Sequence, residues 1–347
     1  MTALGGWEHV ALSDPTRPPA RVGATLSCIE VPLQAKGLTK EEQEAAVLLD
    51  PMVVQYGLFL FGGDDDQDRQ TDLLHVYYLQ ARKWIKPSVT GRLPAKRSRH
   101  TANVFSDPGS GKPRLLIFGG VNASNSVSVL DPHAFDWTHP APRAAPLKKK
   151  KRRERDDDDE AEPMLPPARF GHSALLFERR LFIFGGRDHK GPLKDLFELE
   201  LESETMQWQR PEPAGLPPPA SSKHSAALAR GHMLLISGEF GWEGHLWALQ
   251  LRPPLTWFRS ALPDFPLAGM SRFALVEYVT PRPHRREEVM IFGGVLEAPN
   301  SESQVVDAQR GSTRRAEAAG SVWCPVGRRS HRAWIPRVPG DGCLLHP

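Results

Sequence analysis

Short apolar runs alternate along the chain with polar stretches rich in glycine and proline, and four of the runs end alike. They read Leu60-Phe61-Gly62-Gly63, Ile117-Phe118-Gly119-Gly120, Ile183-Phe184-Gly185-Gly186 and Ile291-Phe292-Gly293-Gly294. Leu235-Ile236-Ser237-Gly238 is a weaker fifth copy, and in chain order the copies lie 57, 66, 52 and 56 residues apart. Self-similarity at this period is the signature of stacked repeats. The runs are apolar at every position, as in Leu58-Phe59-Leu60-Phe61 and Leu181-Phe182-Ile183-Phe184. A strand with one wet face would alternate, so both faces of these strands are expected to be buried. A polar loop follows each glycine pair. It leads to an alternating segment, such as Asp72-Leu73-Leu74-His75-Val76-Tyr77 or Asp195-Leu196-Phe197-Glu198-Leu199-Glu200. A tryptophan closes each unit: Trp84, Trp137, Trp208, Trp257.

Upstream of each apolar run stands Arg-x-x-His or a relic of it. Arg97 to His100, Arg169 to His172 and Arg328 to His331 are intact; Arg21 to Ala24 and Ser221 to His224 are degraded. The spacing tests this alignment. Trp84 to His100, Trp208 to His224 and Trp257 to Phe273 are each 16 residues, and Trp7 to Ala24 is 17. Trp137 to His172 is 35, but that stretch contains the charged run Lys148 to Glu162, and removing about 19 residues restores the period. Each unit therefore holds about four short strands bounded by Gly, Pro and Asp. Small sheets buried on both faces need a neighbouring sheet on each side, and a ring of such sheets is a β-propeller. The glycine pair allows positive φ and close backbone approach, and the tryptophan fills the wide outer part of the wedge.

These residues resemble the kelch repeat family, whose pattern is an Arg-x-x-His-like start, an apolar strand ending in Gly-Gly, an alternating strand and a closing Trp. The resemblance runs from Trp7 to about Trp257 and again from Arg272 to Gly294. It implies an all-β fold, a kelch-type β-propeller of four-stranded antiparallel blades with five clear units plus a partial sixth. Residues 1–347 are expected to form this single domain. A strand carrying Trp7 would suit closure of the ring. Residues 36–51 read as a helical insertion, because Thr39-Lys40-Glu41-Glu42 is a capping box. Residues 141–165 read as a charged, disordered insertion. Residues 301–347 read as a degenerate C-terminal unit, in which Trp323 follows Gly294 by 29 residues.

Charge and cysteine content narrow the function. The chain has 44 Lys and Arg against 41 Asp and Glu, a net charge of +3, which gives no global field for nucleic acid. No apolar segment suits a membrane span and no N-terminal stretch reads as a signal peptide. The three cysteines, Cys28, Cys324 and Cys343, lack metal or framework spacing, which fits a reducing nuclear or cytoplasmic setting. Asp64, Asp66 and Asp68 have the spacing of a calcium loop, but Arg69 stands where its glycine belongs and His75 where its glutamate belongs. No nucleophile elbow, phosphate-binding loop or zinc-like spacing is present. No cofactor or metal is expected.

The expected function is a non-catalytic protein-interaction module, acting as a monomer and serving as a scaffold or substrate-recognition subunit. A propeller-based enzyme or specifier acting on a small molecule in a central pocket is the alternative. Partner-binding candidates are the frame residues Arg97, Arg99, His100, Arg169, His172, Lys223, His224 and Arg272. Guanidinium forks match carboxylates, so such a rim would select an acidic peptide; the same residues could instead bond backbone in the turns between blades. Loops after the glycine pairs differ between units and add Arg187, with Phe240 and Trp242 read either as interface anchors or as inter-blade packing residues. The run Lys148, Lys149, Lys150, Lys151, Arg152, Arg153 reads as a nuclear localisation signal, or as a solvated charged loop.

Overall fold

The apolar runs form strands, and the strands are laid down as antiparallel meanders. The computed structural model describes residues 17–31, 39, 55–79, 81–144, 165–202, 206–236, 245–261, 270–279, 287–297, 303–307 and 312–315, with backbone alone at Gln55 and from 261 onward. Every described element is a strand. Blade 1 is β1 (Thr25–Val31), β2 (Gln55–Phe61), β3 (Leu74–Tyr78) and β4 (Lys83–Ile85), in that order across the sheet. After the short β5 (Thr90–Gly91), blade 2 is β6 (Thr101–Ser106), β7 (Pro113–Phe118), β8 (Val127–Asp131) and β9 (Asp136–Thr138). After β10 (Arg143–Ala144), blade 3 is β11 (Ser173–Phe177), β12 (Arg180–Phe184), β13 (Leu196–Glu200) and β14 (Gln207–Gln209). Blade 4 is β15 (Ser225–Ala229), β16 (His232–Ile236), β17 (His245–Gln250) and β18 (Thr256–Ala261). A last sheet holds β19 (Met270–Val279), β20 (Glu287–Glu297), β21 (Ser303–Asp307) and β22 (Ser312–Arg315). This is the all-β arrangement of propeller blades.

The fold divides into two compact units, Met1–Ile117 with Ser128–His139, and Phe118–Val127 with Pro140–Pro347. In the first, one face of blade 1 carries Phe59, Phe61, Leu74, Val76 and Tyr78. It is sealed against Leu115, Ile117, Leu130, Phe135 and Trp137. In the second, Phe182 and Phe184 pack with Met233, Leu235, Trp247, Leu249 and Trp257. Removing each large apolar side chain from water stabilises by about 1.5–3 kcal/mol, so these inter-blade layers are the main cohesive element. One motif recurs in them. In three of the units the phenylalanine before the glycine pair meets the frame histidine and the closing tryptophan of the next blade. Phe61 lies 5.5 Å from His100 and 5.1 Å from Trp137. Phe118 lies 5.5 Å from His172 and 5.3 Å from Trp208, and Phe184 lies 5.5 Å from His224 and 5.3 Å from Trp257.

Those packed layers explain the glycine pair. Gly62 and Gly63 take φ of +68° and +97°. A Cβ on Gly62 would lie 2.7 Å from both the Arg97 carbonyl oxygen and the His100 ring. The turn needs a left-handed residue where the next blade's frame crosses it.

Three features differ from the sequence-based expectation. First, Gly293 and Gly294 lie inside β20 rather than at its end. The other frames turn at their third residue, whereas Arg272 continues β19 and lets Ser271 and Met270 pair with Val295 and Leu296. Second, the segment between blades adds a strand of its own. β5 pairs in parallel with β9, and β10 with β14, making five-stranded sheets; Ala214 and Thr256 form the corresponding parallel bridge to blade 4. Third, Leu26, Tyr56 and Leu79 of blade 1 are 59 %, 40 % and 41 % exposed, so the described residues do not seal its second apolar face. All but residue 39 of the expected helical insertion at 36–51, the Trp7 strand and most of residues 301–347 lie outside the described residues, as does most of 141–165.

Candidate functional site

In blades 1 and 3 the frame turn and the loop after the glycine pair meet at one end of the blade. In the first unit Gly63 N–H donates to Arg97 O at 2.9 Å, and Val22 and Asp64 exchange backbone bonds of 2.8 and 2.9 Å. In the second unit Gly186 N–H donates to Ser221 O at 2.9 Å, and Phe170 and Arg187 exchange bonds of 3.0 and 2.9 Å. Each unit thus presents a turn and a loop side by side, with the repeat's backbone bonds fixing both.

Within that end the expected rim residues separate by burial. Arg97 and Arg169 are only 2 % and 1 % exposed, and His100, His172 and His224 are buried. These five side chains are buried in the protein rather than exposed along the rim. Arg169 holds Asp195 with both guanidinium nitrogens, at 2.6 and 2.9 Å, donates to Gly185 O at 2.9 Å and lies 5.3 Å over the Phe197 ring. Arg97 Nε donates to Ala95 O at 2.9 Å, and burial draws its pKa down to about 10. His100 Nε2 meets Thr25 Oγ1 at 2.9 Å, and His224 Nε2 meets Ser173 Oγ at 2.9 Å. Each histidine latches its blade to the first strand of the preceding one. Burial, with the Arg97 charge second, lowers His100 to about 3. Burial, opposed by a bond to the Phe184 backbone, lowers His224 to about 4. Both are neutral at physiological pH.

Arg99, Lys223 and Arg187 stay half-exposed. Arg99 and Lys223 occupy the third frame position with φ of +56° and +59°. The same position is Gly23 and Gly171 in the other frames, with φ of +70° and +62°. Arg99 N–H donates to Gly23 O at 2.7 Å and Lys223 N–H to Gly171 O at 2.9 Å. Two L-residues therefore hold a left-handed conformation that costs about 1–2 kcal/mol and that glycine meets elsewhere in the repeat. Arg272 is placed by backbone only, within β19. Phe240, Trp242 and the basic run 148–153 lie outside the described residues.

The acidic loop of blade 1 is closed on itself. Asp65 Oδ1 accepts from Gln67 N–H and Arg69 N–H at 2.9 Å each, and Asp65 Oδ2 pairs with Arg69 Nε at 2.9 Å. Among the described residues no group of three His, Cys, Asp or Glu is placed to hold a metal ion. Sequence reasoning passed over Asp195 as the partner of Arg169; a carboxylate directly before β13, in the unit that keeps an intact Arg-x-x-His frame, was the available signal.

The chain is 28 % identical over 233 residues to Kelch domain-containing protein 3 of Bos taurus, covering 64 % of this chain and 52 % of that protein. The chain is similar to kelch-repeat proteins. It is also 28 % identical over 243 residues to Host cell factor 1 of Rattus norvegicus, covering 62 % of this chain and 10 % of that protein. To the Leucine-zipper-like transcriptional regulator 1 homolog of Drosophila melanogaster it is 27 % identical over 194 residues, 54 % of this chain and 18 % of that protein. The chain thus spans about half the length of one relative and less than a fifth of the other two. No family model matches it. Similarity at this level supports the kelch-repeat reading of the blades. Among the described residues no helix is long and apolar enough to cross a membrane.

Proposed function

We propose that this kelch-type module binds a protein partner through an acidic segment, at the blade ends where frame turns meet the unlike loops. The observation that carries this reading is the left-handed backbone at Arg99 and Lys223. Each turn keeps a strained basic residue where glycine would be relaxed, and each side chain stays half-exposed beside a loop that differs from unit to unit. A strained residue persists only where the surrounding structure holds it, and such residues cluster at binding sites. The partner reading, a scaffold or substrate-recognition role, extends the similarity to kelch-repeat proteins; it assigns no catalysis to the chain. We further propose that the module is a monomer of five units and a partial sixth formed by residues 301–347. It works in the nucleus or cytoplasm, with residues 148–153 as the import signal.

The test is binding of an acidic peptide library to wild type, Arg99→Glu and Lys223→Glu. Charge reversal should weaken binding at least tenfold in low salt, with a difference that shrinks as the Debye length shortens. Unchanged binding by two stably folded variants would move the ligand to another face.

A further inference from the structure

The arginine that opens the frame occurs in two settings that compare atom for atom. In blade 3, Arg169 reaches Gly185 O, pairs with Asp195 and stacks over Phe197. Blade 1 has the same register. Leu74 pairs with Phe61 as Leu196 pairs with Phe184, and His75 pairs with Leu60 as Phe197 pairs with Ile183. Gly62 N–H donates to Leu73 O at 3.3 Å, as Gly185 N–H donates to Asp195 O at 3.1 Å. Leu73 therefore stands where Asp195 stands, and His75 where Phe197 stands. Arg21 keeps the shared carbonyl contact, to Gly62 O at 3.3 Å, adds Leu73 O at 3.4 Å, and its Nη2 lies 3.2 Å from His75 Nδ1. Its guanidinium has exchanged a carboxylate for an imidazole.

Three consequences follow from that exchange. The arginine only donates, so His75 Nδ1 accepts and its proton sits on Nε2. Burial, then the Arg21 and Lys86 charges, lowers His75 to about 4, so the ring is neutral and every charge acting on it is a cation. Arg21 is half-buried, whereas Arg169 is closed off, so a solute can reach the first and not the second. A half-buried guanidinium held by carbonyls, with no ion pair among the described residues, retains unused affinity for an oxyanion.

We propose that Arg21, supported by His75, is a carboxylate-binding subsite, and that an acidic side chain of the ligand, approaching from solvent, supplies the ion pair that Asp195 supplies in blade 3. This rests on the acidic-ligand reading above and locates one of its anchors away from Arg99. Arg21 supplies the fork that matches a carboxylate, and His75 fixes the plane of that fork.

The experiment titrates a capped tetraglutamate peptide into the full chain, with capped tetraglutamine and inorganic phosphate as parallel probes. Wild type should bind tetraglutamate and not tetraglutamine. Leu73→Asp rebuilds the blade 3 arrangement and should weaken tetraglutamate binding at least tenfold while the melting temperature holds or rises. Arg21→Lys keeps the charge without the fork and should weaken binding several-fold, which keeps the test decisive if Leu73→Asp folds poorly. If Leu73→Asp and Arg21→Lys both bind like wild type while Arg99→Glu does not, the subsite is refuted and the acidic-ligand reading stands. If wild type binds phosphate but not tetraglutamate, the carboxylate assignment is wrong. If it binds neither, this proposal and the reading beneath it both fail.

Discussion

Blade 1 and blade 3 share one register, yet they distribute their apolar side chains between protein and water differently. In blade 3, Leu181, Phe182, Ile183 and Phe184 are all fully buried, and Phe197, Leu199 and Trp208 are buried with them. In blade 1, Phe59 and Phe61 are fully buried, whereas Leu58 and Leu60 on the opposite face are half-exposed, beside Leu26, Tyr56 and Leu79. The strand pairing is the same: Thr25 faces Phe61 as Ser173 faces Phe184. Backbone hydrogen bonds alone therefore do not set a blade's contribution to stability. Neighbouring sheets do, as in any architecture whose repeats bury their surfaces on one another.

That contrast can be broken or sharpened in four ways. Phe184→Ala removes a ring held between His224 and Trp257 and should cost about 3–5 kcal/mol, read as a lowered urea midpoint with an unchanged slope. Acid should act next. His100 and His224 are neutral in the fold, with values near 3 and 4 against an ordinary 6.5. Protonation therefore favours the unfolded chain. The stability they lend is whole above the ordinary value and is lost as pH falls from 6.5 towards 3 for His100 and towards 4 for His224, by on the order of 3–5 kcal/mol for each histidine. His224→Gln should flatten the pH dependence of the melting temperature over that interval; an identical slope would show that other groups set it. Arg99→Gly relaxes a left-handed residue and should stabilise by about 1 kcal/mol while reducing acidic-ligand binding. Stabilisation with binding intact would leave the strain without a function. Leu26→Ser, on the exposed face of blade 1, should change stability by less than about 0.5 kcal/mol. A loss comparable to that of Phe184→Ala would show that the face is covered in solution.

Much of the blade geometry was legible because side chains in a strand alternate with period two and a slipped register would expose the core. The spacing of 16 residues from Trp208 to His224 and from Trp257 to Phe273, and of 17 from Trp7 to Ala24, marks equivalent positions. In each case the following residue faces the last residue of the apolar run: Ser225 with Ile236, Ala274 with Phe292, Thr25 with Phe61. The direction of the frame side chains was not legible. Whether an arginine in this frame is sealed or reachable is decided by the residues just before and inside the third strand, Asp195 and Phe197 or Leu73 and His75. The parallel fifth strands were missed because two residues carry no periodicity. Seven residues after the tryptophan stand Gly91 in β5, Ala144 in β10 and Gly215 beside the Ala214 bridge, so only the spacing was shared.

Those short parallel strands give the linkers a guarding role. The outermost strand of a sheet offers open N–H and C=O groups to any extended chain that drifts past, and this is how sheets recruit foreign strands into aggregates. Here Thr90-Gly91 lies along β9 and Arg143-Ala144 along β14, so the chain covers those rims with its own connecting segments. The cover restricts where the gene can lengthen a connection. An insertion ahead of the pairing dipeptide would peel the guard from its rim; one behind it only adds slack. The long charged run lies behind it, beginning at Lys148, four residues after Ala144.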